Sequence, residues 1–180
     1  MSLGLSGLGP NETEMSLVSC TTGGSASATW TPPFCTIVAA DTSDFSYLCC
    51  PRCDGALPDR AASCFFCGHH AASAQPSRVY RLLLSVATHD RVVPVVLFDR
   101  AARVLMGCSA DELARLFAGN PGAARAAAEA LRGEMCRVAM RAPRNKKGTG
   151  AEHLRAVSVV PLRDGFRPVV DTLRTLYPRG

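Results

Sequence analysis

Two C-x-x-C pairs, Cys50-Pro51-Arg52-Cys53 and, ten residues on, Cys64-Phe65-Phe66-Cys67, constrain this chain more than any other feature. Each pair fits a tight turn. Two such turns bring four thiolates to the corners of a tetrahedron around one Zn²⁺, at metal–sulfur distances of about 2.3 Å. Pro51 and Gly68 suit the turns, since Pro presets φ and Gly tolerates φ > 0. A redox dithiol needs only one such pair, and a pair of disulfides needs an oxidising compartment. Four sulfur donors leave no open position for water, so the metal reads as a single structural Zn²⁺. His69 and His70 adjoin a complete ligand set and read as surface residues, while Cys49, next to Cys50, competes in register.

With 180 residues, 47% of them hydrophobic and 19% charged, the chain is long and apolar enough to bury one domain's core, which excludes a disordered chain. Met1 to Glu14 has neither a basic n-region nor a continuous apolar stretch, and no apolar run approaches the ~20 residues of a membrane helix. The expectation is a reducing, intracellular setting with no membrane contact, where paired cysteines mean metal. Cys20, Cys35, Cys108 and Cys136 lie outside the pairs and read as small buried apolar residues. The net charge of +5 is one-ended. Acids dominate before Arg60, whereas Arg137, Arg141, Arg144, Lys146, Lys147, Arg155 and further arginines crowd the C-terminal part. Such a field suits a polyanion, although ordinary solubilising arginines would give the same bias.

Along the chain, residues 1–33 are rich in Ser, Thr and Gly without a sustained period and read as a flexible tail, with Trp30 at its end. Strands are expected over 34–40 and 45–50, followed by a ribbon insert over 49–70. Arg78 to Thr88 is the clearest strand, with Tyr80, Leu82, Leu84 and Val86 on one face. A turn at His89-Asp90 leads to a strand over 91–98, then a helix over 99–106 closed by Gly107. Ser109 and Glu112 form a capping box for the next helix, and Asn120-Pro121 starts a third, with Pro at N1. Strands over 136–142 and 153–162 and a helix over 168–177 complete the order. Hairpins with helices between the third and fourth strands predict a mainly β protein with helices. The plan is a five-stranded OB-fold barrel over 34–165, carrying an inserted four-cysteine zinc ribbon and a C-terminal helix within 166–180.

The run from Cys35-Thr-Ile-Val-Ala-Ala through Phe45-Ser-Tyr-Leu-Cys-Cys-Pro-Arg-Cys53, Cys64-Phe-Phe-Cys67 and Val79-Tyr-Arg-Leu-Leu-Leu-Ser-Val86 belongs with Leu97-Phe-Asp-Arg-Ala-Ala102 and Leu105-Met-Gly-Cys-Ser-Ala-Asp-Glu-Leu113. Together they resemble the C-terminal OB domain of the replication protein A large subunit, over about Phe34 to Leu162. The closing stretch from Val160 to Leu173 looks closer to the N-terminal domain of the DNA damage-induced apoptosis suppressor (noxin), and a shieldin-type OB subunit is a third neighbour. The resemblance implies single-stranded DNA binding in replication, repair or meiosis, a nuclear location, and Cys50, Cys53, Cys64 and Cys67 holding zinc. It also implies a terminal helix that packs against other OB-fold subunits. One departure bears on DNA: where that domain carries a base-stacking aromatic at the start of the third strand, this chain has Val92, Val93 and Pro94.

Single-strand binding needs cations along a groove and aromatic faces for bases. The candidates are Arg81, Arg91, Phe98, Arg137, Arg141, Arg144, Lys146, Lys147 and Arg155, with Phe45, Tyr47, Phe65 and Phe66 as further aromatics. Tyr80 and Phe117 fall on apolar faces and read as core. An enzyme is not expected. His89-Asp90 has no nucleophile placed near it, helix capping explains Glu112 while the first-turn macrodipole explains both Asp111 and Glu112, and Gly148-Thr149-Gly150 lacks the full phosphate-loop spacing. The rival reading is a protein-interaction module that docks into a multi-subunit complex through Val169, Leu173, Leu176 and Tyr177, with little DNA affinity.

Overall fold

The computed structural model describes residues 29–58, 63–70, 75–142 and 153–178. Its elements are β1 (Thr29–Trp30), β2 (Cys35–Asp41), β3 (Ser46–Cys49), β4 (Ala56–Leu57), β5 (Ser77–Ala87), β6 (Val92–Phe98), α1 (Asp99–Met106), α2 (Ala110–Gly119), α3 (Ala123–Leu131), β7 (Met135–Arg141), β8 (Leu154–Pro161) and α4 (Val169–Leu176). Five strands close on themselves: β2 pairs β5, β5 pairs β6, β6 pairs β8, β8 pairs β7, and β7 returns to β2. Only β6 and β8 run parallel, as expected where the helices intervene between two strands of one sheet. This is the ring of an OB fold.

Alternation builds the barrel. Leu82, Leu84 and Val86 of β5, Val95 and Leu97 of β6, and Val138 and Met140 of β7 point inward and are buried. Arg81, Arg137 and Arg155 take the opposite phase and are exposed. α1 buries Ala101, Ala102, Leu105 and Met106, which cap the core. Gly107 then ends it in the left-handed region at φ 75°. A Cβ built on Gly107 would run into Pro168, so the residue that stops α1 also lets the C-terminal segment pack close. Ser109 caps α2 as its spacing predicts, accepting from the Glu112 amide at 3.2 Å.

β5 is longer than a barrel stave. Its second half pairs with β2 and β6, while Ser77 to Tyr80 runs beyond them to pair with β3, which in turn pairs with β4. β3, the second expected strand, therefore lies outside the ring and carries the cysteine lobe. The extension is pinned on its inner side by Tyr80, which is fully buried against Phe45 at 6.0 Å. Phe117 packs edge-on to Phe45 at 5.2 Å. The Tyr80 hydroxyl donates to the Cys108 carbonyl at 3.2 Å, and burial pushes its pKa well up. A separate small cluster of Cys50, Leu57 and Cys64 forms the core of the lobe.

Two details differ from the sequence expectation. α3 starts at Ala123 rather than at Pro121, because the Asn120 side chain donates to the Leu116 carbonyl at 2.8 Å and so closes α2. Gly122, at φ 90°, makes the turn between the two helices. Within the expected tail, Thr29–Trp30 pairs with Arg141 and Met140 of β7, with Trp30 partly buried against the core. The preceding residues 1–28 lie outside the described residues.

Candidate functional site

The lobe carries two matching turns. In the first, the Asp54 amide donates to the Cys50 carbonyl at 2.9 Å, and the Cys50 amide donates to the Gly55 carbonyl at 2.9 Å. In the second, the Gly68 amide donates to the Cys64 carbonyl at 2.9 Å, and the Cys64 amide to the His69 carbonyl at 2.8 Å. The pivots, Asp54 at φ 55° and Gly68 at φ 68°, both sit in the left-handed region, where Asp is one of the few side chains tolerated. The outcome is convergence of Cys50, Cys53, Cys64 and Cys67, whose sulfurs all lie within 4.8 Å of one another. Two of the separations are 3.7 Å between Cys50 and Cys67 and 3.6 Å between Cys53 and Cys64. A tetrahedral metal with sulfur at about 2.3 Å asks for edges of about 3.8 Å, so these four side chains can hold one metal ion.

The crowding shows in the thiols. At Cys53 the Gly55 backbone hydrogen bond acts downward, but Cys67, burial, Cys64 and Cys50 together push the pKa up to about 12. At Cys64 burial acts upward, and hydrogen bonds from Cys67, Phe66 and Cys53 outweigh it to hold the thiol at about 7. Cys49 is not in the set: its sulfur lies 3.2 Å from the Ser77 hydroxyl oxygen. His69 is half-buried and His70 exposed, both outside the cluster.

A second grouping lies on the outward face of the barrel. The β7–β8 register sets Arg141 directly opposite Arg155. Like charges so placed repel. Neither has an ion-pair partner among the described residues, and the Arg141 Nε is buried without a hydrogen bond. The Arg155 guanidinium instead sits 4.4 Å from the centre of the Phe98 ring, a cation–π contact. Phe98 faces Arg81 across the β5–β6 pair, and Arg81 reaches Asp44 at 3.3 Å. Tyr47 faces Val79, two residues from Arg81 along the same outward face. The Tyr47 hydroxyl pKa is raised, first by burial and then by Cys49; the Arg155 charge acts against the rise, and the Asp99 and Asp54 charges add to it. Arg81, Tyr47, Phe98, Arg141 and Arg155 thus share one cation–aromatic surface.

The other candidates fall elsewhere. Arg137 is exposed on β7 opposite Val160, four residues from Arg141. Arg91 lies at the far end of β6, 5.4 Å from the Trp30 ring centre. Arg144, Lys146 and Lys147 lie outside the described residues, in the segment that joins Arg141 to Arg155 in sequence. Phe45 is buried and has no face for a ligand. Val92 is exposed and Val93 turns inward, so the start of β6 carries no aromatic. In α4, Val169 and Leu173 are buried in this chain's own core, whereas Leu176 is 56% exposed and Tyr177 half-buried. Asp111 and Glu112 also tie α2 to other elements: Asp111 accepts from the Arg78 amide of β5 at 3.2 Å, and Glu112 pairs with Arg174 of α4 at 2.8 Å. Asp90 accepts from Thr88 in the β5–β6 turn at 2.7 Å.

The Arg141–Arg155 opposition and the Trp30–Arg91 stack have no local sequence signal, since each depends on pairing between strands. The first also depends on a bulge between Ala139 and Met140.

Residues 30–161 match the family described as the replication factor-A C terminal domain. Among solved structures, a replication protein A heterotrimer bound to ssDNA aligns with a TM-score of 0.62 at 22% identity, over 72% of this chain and 31% of that one. This chain thus spans less than a third of that relative. Yeast RPA bound to ssDNA aligns with a TM-score of 0.62 at 20% identity, over 88% of this chain and 90% of that one. No curated protein matches the sequence.

Proposed function

This chain belongs to the replication factor-A C-terminal domain family, and from that premise we propose that it is a zinc-stabilised, single-stranded DNA-binding protein of the nucleus, acting in DNA repair, replication or recombination. The carrying observation is Arg141 facing Arg155, neither with an ion-pair partner among the described residues, beside the Phe98 ring. A protein keeps two such cations together at a cost to its own stability, and a phosphate arriving between them removes that cost. Phe98 and Tyr47 supply faces for bases, each stack worth about 1–3 kcal/mol. Arg81 lines the same surface. Arg91, Arg137, Arg144, Lys146 and Lys147 add to the field that draws in the strand. Zn²⁺ held by Cys50, Cys53, Cys64 and Cys67 fixes the lobe beside this face in a structural role.

A second reading rests on the exposure of Leu176. Its helix α4 contributes Arg174, and the following Tyr177 adds to it, in a cavity of about 490 Å³ also lined by Glu112, Arg115, Leu116 and Asn120, which Leu176 itself does not line. Other OB-fold subunits would dock there, using Leu176 and Tyr177, with Val169 and Leu173 holding the helix to its own barrel.

The test is the anisotropy of labelled oligo(dT) at two salt concentrations. Binding is expected to weaken with salt, the logarithmic slope falling by about 0.7 for each phosphate neutralised. Absence of binding at low salt overturns the DNA reading.

A further inference from the structure

The outward wall of the barrel carries a second surface, at the other end of β7 and β8 from the Arg141–Arg155 pair. Cys136, Val138 and Val159 point inward and are buried, so Met135 and Arg137 on β7 and Val160 on β8 take the outward phase. Arg137 lies directly opposite Val160. One outward step along, the Leu162 amide donates to the Met135 carbonyl at 2.9 Å, which carries the same register past the end of β8. Side chains opposite one another on one sheet face stand about 5 Å apart, and outward neighbours along a strand about 7 Å. Met135, Val160 and Leu162 therefore form one apolar patch, and they are 44%, 52% and 39% exposed.

Charge gives the patch an occupant. Arg137 bounds it at the Val160 end. Asp164 follows two residues after Leu162, in a turn that the Phe166 amide closes on the Arg163 carbonyl at 3.1 Å. Neither Arg137 nor Asp164 has an ion-pair partner among the described residues, whereas Arg163, between Leu162 and Asp164, is taken by Glu134. The order along the face is cation, apolar centre, anion. A surface of that order is complementary to itself turned end for end. A two-fold axis lying across the strands at Met135 and Leu162 sets the apolar centres of two copies face to face. The same axis brings Arg137 of each copy toward Asp164 of the other.

We propose that this face pairs two copies of the chain, with Met135, Val160 and Leu162 at the centre and two Arg137–Asp164 contacts at the rim. Three apolar side chains and two charges fall short of the roughly 20–30 residues a side of a standard interface, so the pairing belongs to the weak, concentration-dependent class. The inference stands apart from the DNA reading, and its test contains no DNA.

Sedimentation equilibrium from about 10 μM to about 1 mM protein provides the test, since it spans the range of weak dissociation constants. The wild type is expected to pass from monomer toward dimer. Arg137→Asp and Asp164→Arg each set like charges together at both rim contacts, and each alone is expected to weaken pairing by about tenfold. Mixing the two variants should restore it, because every rim contact between them joins opposite charges. The double variant should likewise pair with itself. Val160→Asp places a charge in the centre of the patch and should abolish pairing, while its Tm stays within about 2 °C of wild type because the position is exposed. A wild type that remains monomeric at the highest concentration overturns the proposal and leaves the face to a different protein. A dimer that Val160→Asp does not weaken overturns this face as its interface. Single charge variants that weaken pairing without recovery on mixing overturn the two-fold arrangement.

Discussion

Replacing Arg141 with Met should make the free protein more stable and its grip on DNA weaker. Arg141 and Arg155 are directly opposed on β7 and β8. Like charges directly opposite across a strand pair repel, and two unit charges at a separation of about 6 Å do so by roughly 0.7 kcal/mol in water and by more where solvent is excluded. Salt near 0.15 M screens part of this, since the Debye length is about 8 Å. The Arg141 Nε is buried without a partner, and such a group costs about 1 kcal/mol or more. Met keeps the length of the side chain and removes both penalties. The net expectation is a gain of about 1 kcal/mol, or about 2–4 °C in Tm for a domain of this size. Binding should move the other way: Kd for oligo(dT) rises, and the salt slope shrinks by about 0.7 as one phosphate contact is lost. Thermal melting and salt-dependent anisotropy on the same preparations read both signs. Arg155→Met is the control, because losing the contact with Phe98 costs about 0.5–1 kcal/mol and offsets the relief. A lower Tm for Arg141→Met with DNA binding unchanged would refute the reasoning.

Gly107→Ala should lower stability by about 3 kcal/mol, since Ala resists φ 75° and its methyl collides with Pro168; calorimetry should show Tm falling by about 6–12 °C. Leu173→Asp should prevent folding because Leu173 is wholly buried, whereas Leu176→Asp should leave circular dichroism and Tm within about 1–2 °C of wild type. Removing the metal with a chelator should release one zinc per chain and loosen the lobe. Because the Cys50, Leu57 and Cys64 cluster is separate from the barrel core, the barrel's own thermal transition should survive.

What the sequence discloses follows from the range of the interactions involved. β5 and β7 announce themselves because alternation is local and one buried face enforces it. Gly107 and Ser109 mark helix ends because the groups they satisfy lie within one turn. The four cysteines are legible because two short loops set the spacing of each pair, whatever the rest of the fold does. The start of α3 is not legible because Asn120 has two possible uses, and the choice of capping α2 depends on how the Pro121-Gly122 turn is made. Trp30 joins β7 through an edge that exists only once the barrel closes. α4 carries an apolar side that fits its own barrel or a partner equally well in sequence; packing against α1 and α3 decides that Val169 and Leu173 face inward. The cations are identifiable by type, but the meeting of Arg141 with Arg155 is a matter of strand register.

Photocrosslinking of 4-thiothymidine-substituted oligo(dT), followed by peptide mass spectrometry, tests most directly whether a single strand lies on the outward barrel face. Crosslinks are expected on the β3 and β6 peptides that carry Tyr47 and Phe98. Crosslinks confined to the helical cap of α2, α3 and α4, from a complex that still forms, would contradict the assignment.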